Sequence, residues 1–557
     1  MARITGGELL VRTLVRANVK HVFGLHGAHL ETIFQSCLDH RIPITDTRHE
    51  VAAGHAAEGY ARSTRTLGVA MATAGPGFTN IITSIANAYL DRTPVLYIAG
   101  SSGLAEAETN TLQSGLDQVA VATPITKWAH RITVAQTIPR LVAQAIRLAT
   151  SGPMGPVLLD MPMDVLGAQV DESSVAVPDT VLLDARPMPE PRAIDEALRL
   201  LTQAARPVIM VGVGAYMSGA GDELRAFAER TGTPVFSDFQ AHGLLPSNHP
   251  LYGGTFHKMA DLSRPDERPD LVLAVGVRFG LFTLGMSDLV VPLASKIIHV
   301  EIDPKEIGRL RSVAVPIVAD PRETLRAMNA GAKSHTWPDR ARWQQTICLT
   351  KTERSKRAEK DLERTGEPIH PLQAVRAIVD SLAEDAIVVG DGAEAYHWMN
   401  EVIRQNHPGS YITHGFLGAV GFGLGLAIGA QVAHPKRPVL CLVGDGAIGF
   451  TIAEFDTMVR HQLPIVVVVM NNHSWAASQH FQEIVSGKDR LNATELRDAN
   501  YHEVAAAFGC FGQRVRQIRE LGPAIQAAFA SGRPACLNVA IDLAPLPPEL
   551  HLLMSRH

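Results

Sequence analysis

The stretch PVLCLVGDGAIGFTIAEFDTMVRHQLPIVVVVMNNHS, residues 438–474, decides the fold. It holds two short, nearly continuous apolar runs, residues 439–443 and 465–470, rich in β-branched side chains and bounded by Gly, Pro or Asn. Runs of that kind fit strands whose two faces are both covered by helices. Between them AEFDTMVRHQ (453–462) has helical periodicity, so the stretch reads as strand, helix, strand. A right-handed crossover makes the strands parallel. Gly444-Asp445-Gly446 and Asn471-Asn472 then emerge together at the carboxyl edge, where open α/β sheets bind ligands.

The residue types at that edge define a chemistry. The Asp445 carboxylate, the Asn472 amide oxygen and the main-chain carbonyl of Ser474 form a hard, incomplete oxygen shell. Such a shell suits magnesium completed by phosphate oxygens and water. Gly444 and Gly446 let the backbone approach a diphosphate, and the helix starting just after them contributes N–H groups and a favourable dipole.

Outward from this stretch the same alternation recurs. The chain has 557 residues, 46% hydrophobic and 19% charged, enough for about three large domains. Runs such as LGVAMATAGPG and GPVLLDMP mark a doubly wound α/β domain over residues 1–180. The Pro-rich segment VPDTVLLDARPMPEPRAID reads as a linker. A second α/β domain spans 190–335, and after the exposed, charged stretch KTERSKRAEKDLERTGEP a third spans 365–557. The first and third have similar patterns.

Composition excludes several classes. A net charge of -5, with no Lys/Arg-rich run, argues against nucleic acid. No apolar run reaches membrane-spanning length and MARITGGELLVRTL lacks a signal-peptide core, so a cytoplasmic location away from membranes is expected. Five scattered cysteines without a CxxC pair fit reduced thiols. Gly212-Val213-Gly214 is a lone GxG, read as a tight structural turn, and FAD is not expected.

Upstream, Glu50 follows the short apolar run IPITDT and opens the Ala-rich helix EVAAGHAAEGYAR. That position can bury a carboxylate against a ring nitrogen, although a first-turn Glu also simply favours the helix dipole.

The GDG and NN motifs at successive strand ends, together with DTRHEVAAGHAAEGYAR, resemble the thiamine diphosphate (ThDP) dependent enzymes, over essentially the whole chain. The resemblance implies that the first domain holds the aminopyrimidine, the third the diphosphate, and that the middle one is a spacer. It assigns Glu50 to the pyrimidine nitrogen and Asp445, Asn472 and Ser474 to Mg²⁺. It adds Gly392, Ala393, Gly418, Val420, Gly444, Gly446, Ala447 and Ile448 to the cofactor contacts, Val420 as the apolar wedge beneath it. It also implies a homo-oligomer in which two subunits share each site, a dimer at least and commonly a tetramer.

Within that family, FGLHGAHLETIF with Gly27-Ala28-His29, ETNTLQSGLDQVA around Gln113, PITKWAHR and HGFLGAVGFG resemble the benzaldehyde lyase branch. The implied activity is carboligation of small aldehydes to (R)-2-hydroxyketones and the reverse cleavage. His29 and Gln113 would relay protons at the substrate oxygen, beside Ala28, Tyr396, His397 and His414, with Met163, Ala477 and Phe481 lining the pocket. Met163 stands where that branch has tryptophan, which suggests a wider pocket or aliphatic aldehydes. The adjacent histidine pair of the simple decarboxylases is absent; residues 111–115 read Thr-Leu-Gln-Ser-Gly. The alternatives are a decarboxylating enzyme acting on 2-oxo acids, such as an acetolactate synthase, a 2-hydroxyacyl-CoA lyase, or a catalytically silent binding protein of the same fold.

Overall fold

Near-continuous apolar runs become the inner strands of three six-stranded sheets, each parallel throughout. The computed structural model describes residues 2–106, 109–285 and 287–554; Glu108, in the quoted stretch before Gln113, lies outside them. The first sheet is built from Val22–Gly24, Ile44–Asp46, Gly68–Ala72, Val95–Ser101, Trp128–Arg131 and Val157–Pro162. In space they follow the order second, first, third, fourth, sixth, fifth. The third sheet, from Ile387–Asp391, Tyr411–Thr413, Val439–Gly444, Val466–Asn471, Phe511–Val515 and Ala535–Ala540, repeats that order. The middle sheet, with strands between Pro207 and Val318, instead runs third, second, first, fourth, fifth, sixth. This is the expected doubly wound architecture.

Each order has one point where consecutive connections depart in opposite directions, leaving a crevice at the carboxyl ends of the strands. In the first sheet it lies between Val22–Gly24 and Gly68–Ala72, and in the third between Ile387–Asp391 and Val439–Gly444. In the middle sheet the two loops cross in direct contact. The Gly214 amide donates to the Gly276 carbonyl (3.0 Å), and a Cβ at Gly212 would fall 2.3 Å from that oxygen. The Gly-Val-Gly run is thus a close backbone crossing.

The first and third units pack through two helices, Glu50–Thr64 and Gly423–Ala433. Small residues allow the approach: a Cβ at Gly429 would lie 1.9 Å from the Ala56 carbonyl, and one at Gly59 would lie 2.2 Å from that of Leu426. Overpacking such a contact typically costs about 1–3 kcal/mol. The linker expected after the first domain carries no helix or strand from Val175 to Glu190. Four of the five free cysteines are buried, Cys348 being the exposed one. No helix among the described residues is long and apolar enough to cross a membrane.

Candidate active site

An open cavity of about 290 Å³ occupies the crevice of the third sheet. Its walls include Gly392, Ala393, Val420, Gly444, Asp445, Gly446, Ala447, Asn472, Ser474 and Ala477. These are largely the residues that the two strand-end motifs put there. Ile448 is turned into the core and is fully buried, because the short helix Asp445–Ile448 has only one face on the cavity. Gly418 is exposed and does not line it. Val420 sits in the loop before the helix that begins at Gly423.

The donor set fits a diphosphate-bound cation. Asp445 is 3% exposed, and its Oδ2 is buried without a hydrogen-bond partner while Oδ1 accepts from the Gly446 amide at 3.0 Å. Burial pushes its pKa up to about 7, against the pull of the Gly446 amide and the other backbone N–H groups nearby. An orphaned carboxylate oxygen in such a place is what a hard cation would satisfy. Asn472 Oδ1 accepts from the Ser474 amide (3.2 Å), and the Ser474 hydroxyl is engaged with Gln479 and the Thr494 carbonyl. A metal contact from Ser474 therefore falls to its main-chain carbonyl. Among the described residues no group of three or more His, Cys, Asp or Glu could hold a metal, in keeping with a shell that phosphate and water complete.

The glycines of the motif differ in purpose. A Cβ at Gly444 would meet nothing within 4 Å, leaving room for a ligand, whereas one at Gly446 would lie 2.6 Å from the Trp475 indole. Trp475, another wall of the cavity, was not singled out from sequence because no spacing rule marks it. Its signal was its position directly after Ser474.

At the crevice of the first sheet, three predicted residues converge on residues 73–77, the turn that opens the helix Pro76–Leu90. His29 Nδ1 and Thr73 Oγ1 are 3.1 Å apart. A Cβ at Gly75, whose φ is +63°, would lie 3.1 Å from Gln113 Cβ, and one at Gly77 would lie 3.4 Å from Glu50 Oε1. Glu50 is 7% exposed, and its Oε2 accepts from Asn80 Nδ2 at 3.0 Å. Gln113 adopts a left-handed φ of +64°, a conformation that non-glycine residues rarely hold without a reason. Burial lowers the His29 pKa, which keeps its imidazole neutral. Thr73 and Asn80 were missed, since their role follows from tertiary proximity and not from a motif.

A third group lies behind the helix Ala393–Val402, outside the cavity walls. The Tyr396 hydroxyl and His397 Nε2 are 2.7 Å apart, and His397 Nδ1 and Glu549 Oε2 are 2.8 Å apart. The carboxylate accepts, so Nδ1–H donates. His414 meets the Tyr396 ring edge-on at 4.4 Å, and burial lowers its pKa to about 4. Ala28, Met163 and Phe481 are exposed, the last two by 44% and 42%. Within one chain neither Glu50, His29 nor Gln113 lines the cavity of Asp445.

Comparison with known proteins agrees with the α/β architecture. Three family models match: the thiamine pyrophosphate enzyme N-terminal TPP binding domain over residues 4–121, the central domain over 194–328 and the C-terminal TPP binding domain over 391–539. Similar curated proteins include the acetolactate synthase of Arthrospira platensis, 34% identical over 97% of this chain and 94% of its own length. The acetolactate synthase large subunit of Corynebacterium glutamicum is 33% identical over 94% and 85%. A probable acetolactate synthase large subunit of Methanocaldococcus jannaschii is 30% identical over 97% and 92%.

Proposed function

Because the chain belongs to the thiamine pyrophosphate enzyme family, we propose that it is a carboligase, which joins an acyl unit to a carbonyl acceptor and releases a 2-hydroxyketone. The observation that carries this reading is the grouping of one buried carboxylate, Glu50, with a neutral His29 and an amide, Gln113, around one loop. Bound ThDP would supply a nucleophilic thiazolium carbon able to take up and hand on an acyl unit. Asp445, Asn472 and the Ser474 carbonyl would hold the magnesium of its diphosphate.

The residues divide the remaining work. Glu50, fixed at Oε2 by Asn80, would hold a proton at Oε1 for the aminopyrimidine ring nitrogen. His29 and Gln113 can each donate and accept at a substrate oxygen without adding charge to the site. Val420 would keep water from the cofactor face it covers. The catalytically silent alternative would have no chemical need for Glu50, Asp445 and Asn472 together.

Two donors are compatible with this machinery. The relatives' name, acetolactate synthase, favours a 2-oxo acid that loses CO₂, and it favours that reading over the benzaldehyde lyase identity expected from Gly27-Ala28-His29. An aldehyde donor is the reading favoured by FGLHGAHLETIF and by residues 111–115, which lack the adjacent histidine pair. Purified protein given Mg²⁺, ThDP and benzaldehyde, acetaldehyde or formaldehyde, with pyruvate in parallel, separates the two by chromatography. Product with CO₂ from pyruvate alone places it with the 2-oxo acid enzymes, and product from aldehydes alone places it with the aldehyde carboligases. No product from either would overturn the carboligase reading.

Since the Asp445 cavity is walled by the third unit while Glu50 belongs to the first, we infer that a second copy of the chain completes each site, with a dimer as the smallest active form.

A further inference from the structure

The three residues, Thr47 to His49, that connect the strand Ile44–Asp46 to Glu50 are held by a helix of a different domain. Glu454, which opens the helix Glu454–Arg460, is 1% exposed. Its Oε1 accepts from the Arg48 and His49 amides at 3.1 Å each, and its Oε2 from the Arg48 amide at 3.1 Å and the Thr457 hydroxyl at 2.6 Å. The other end of the helix grips the same connection. Arg460 donates to the Asp46 carboxylate (2.6 Å) and carbonyl (2.9 Å), His461 Nε2 lies 2.8 Å from the same carboxylate, and Arg48 pairs with Asp456 at 3.5 Å.

Local capping could have served this turn. The helix cap itself is local, His49 Nδ1 accepting from the Val51 amide at 3.2 Å, but in the turn before it Asp46 is turned to Arg460 and His461, and the Thr47 hydroxyl donates to the His49 carbonyl, so neither side chain serves the Arg48 and His49 amides. The two peptide N–H groups just before Glu50 are instead fixed by one buried carboxylate across a domain boundary. Anchoring both successive peptide planes sets the direction in which the Glu50 side chain leaves the backbone, while Asn80 fixes its far end.

We propose that Glu454 is a positioning residue for Glu50, so that the domain carrying the metal motif also aims the proton-handling carboxylate of the neighbouring domain. This rests on the role given to Glu50 under the proposed function. The connection that ends in Glu454 begins at Asp445, so one continuous segment touches the diphosphate cavity and the Glu50 turn.

The test uses Glu454→Gln, which keeps size and loses the anionic acceptor, with Thr457→Val as a milder variant that frees the carboxylate to turn, and Glu50→Gln as reference. Misplacement near 1 Å costs about 100-fold in rate. The holoenzyme of Glu454→Gln should lose between about 10- and 100-fold in kcat with KM, ThDP affinity by tryptophan fluorescence and melting temperature nearly unchanged. Amide hydrogen exchange in the peptide covering residues 46–52 should quicken at least tenfold. If Glu454→Gln does not fold, Thr457→Val is judged by the same split with a smaller fall. Unchanged kcat, or a fall matched by equal losses of cofactor affinity and melting temperature, overturns the positioning role. If Glu50→Gln itself keeps full turnover, the role of Glu50 fails instead, a result the exchange measurement distinguishes.

Discussion

The first and third sheets share one strand order, and under the proposed function they would carry different chemistry in the same crevice. In the third, the ligand-facing groups come from consecutive strand ends, so Asp445, Asn472 and Ser474 are brought together by a single strand, helix, strand unit. In the first, Glu50, His29 and Gln113 arrive from three separate connections and meet only around residues 73–77. The same frame can therefore present a compact oxygen cradle or a dispersed set of groups which, on the proposed function, handle protons. What decides is whether the chemistry sits on the loops flanking one crossover or on loops that the sheet order gathers.

The largest effect expected from this contrast is on the dispersed side. Glu50→Gln should reduce turnover by about 100- to 10,000-fold, the range of a lost acid–base group. ThDP and Mg²⁺ should still bind, as fluorescence titration would record. Loss of binding in this variant would mean that the two crevices do not divide the labour. On the cradle side, Asp445→Asn should weaken Mg²⁺ by more than the roughly 10- to 100-fold that removal of a mere supporting partner costs, measured by activity against free Mg²⁺ and by calorimetry.

Smaller effects sharpen the contrast within the cradle. Gly446→Ala should lower stability by about 1–3 kcal/mol, because its Cβ meets the Trp475 ring, in a denaturant melt of the protein. Gly444→Ala meets no protein atom and should melt like the parent while binding ThDP more weakly.

The smallest effect is a pH dependence. Buried His414, lowered to about 4, binds its proton more weakly folded than unfolded, so stability rises with pH between about 4 and 6.5 and is lost as pH falls through that window. The melting-temperature advantage of the parent over His414→Gln should therefore shrink as pH is lowered from 6.5 toward 4. A constant difference would contradict the buried, neutral imidazole.

Much of this was legible in the sequence because it is local. Residues 439–443 and 465–470 could only be buried strands, and their loops had to share an edge. Glu50 stood out as the first residue of an Ala-rich helix. Asn80, Thr73, Trp475 and Glu454 did not, since an amide, a hydroxyl, an indole and a first-turn glutamate carry no spacing signal. Their roles follow from which domain packs on which turn. Val420 was legible as a cavity-facing apolar residue from its place in HGFLGAVG, three residues before the helix that begins at Gly423.

The central claim, that Glu50 and the Asp445 cradle serve one site from two copies of the chain, is tested most directly by mixing Glu50→Gln and Asp445→Asn subunits. Each homo-oligomer alone should be nearly inactive. A dimer holding one of each retains one site with both Glu50 and Asp445 if the halves come from different copies, so coexpressed, tag-separated hybrids should recover about half the parent activity per dimer. If the halves belonged to the same chain, every site in the hybrid would lack one of them. Hybrids as inactive as the two parents would contradict the account.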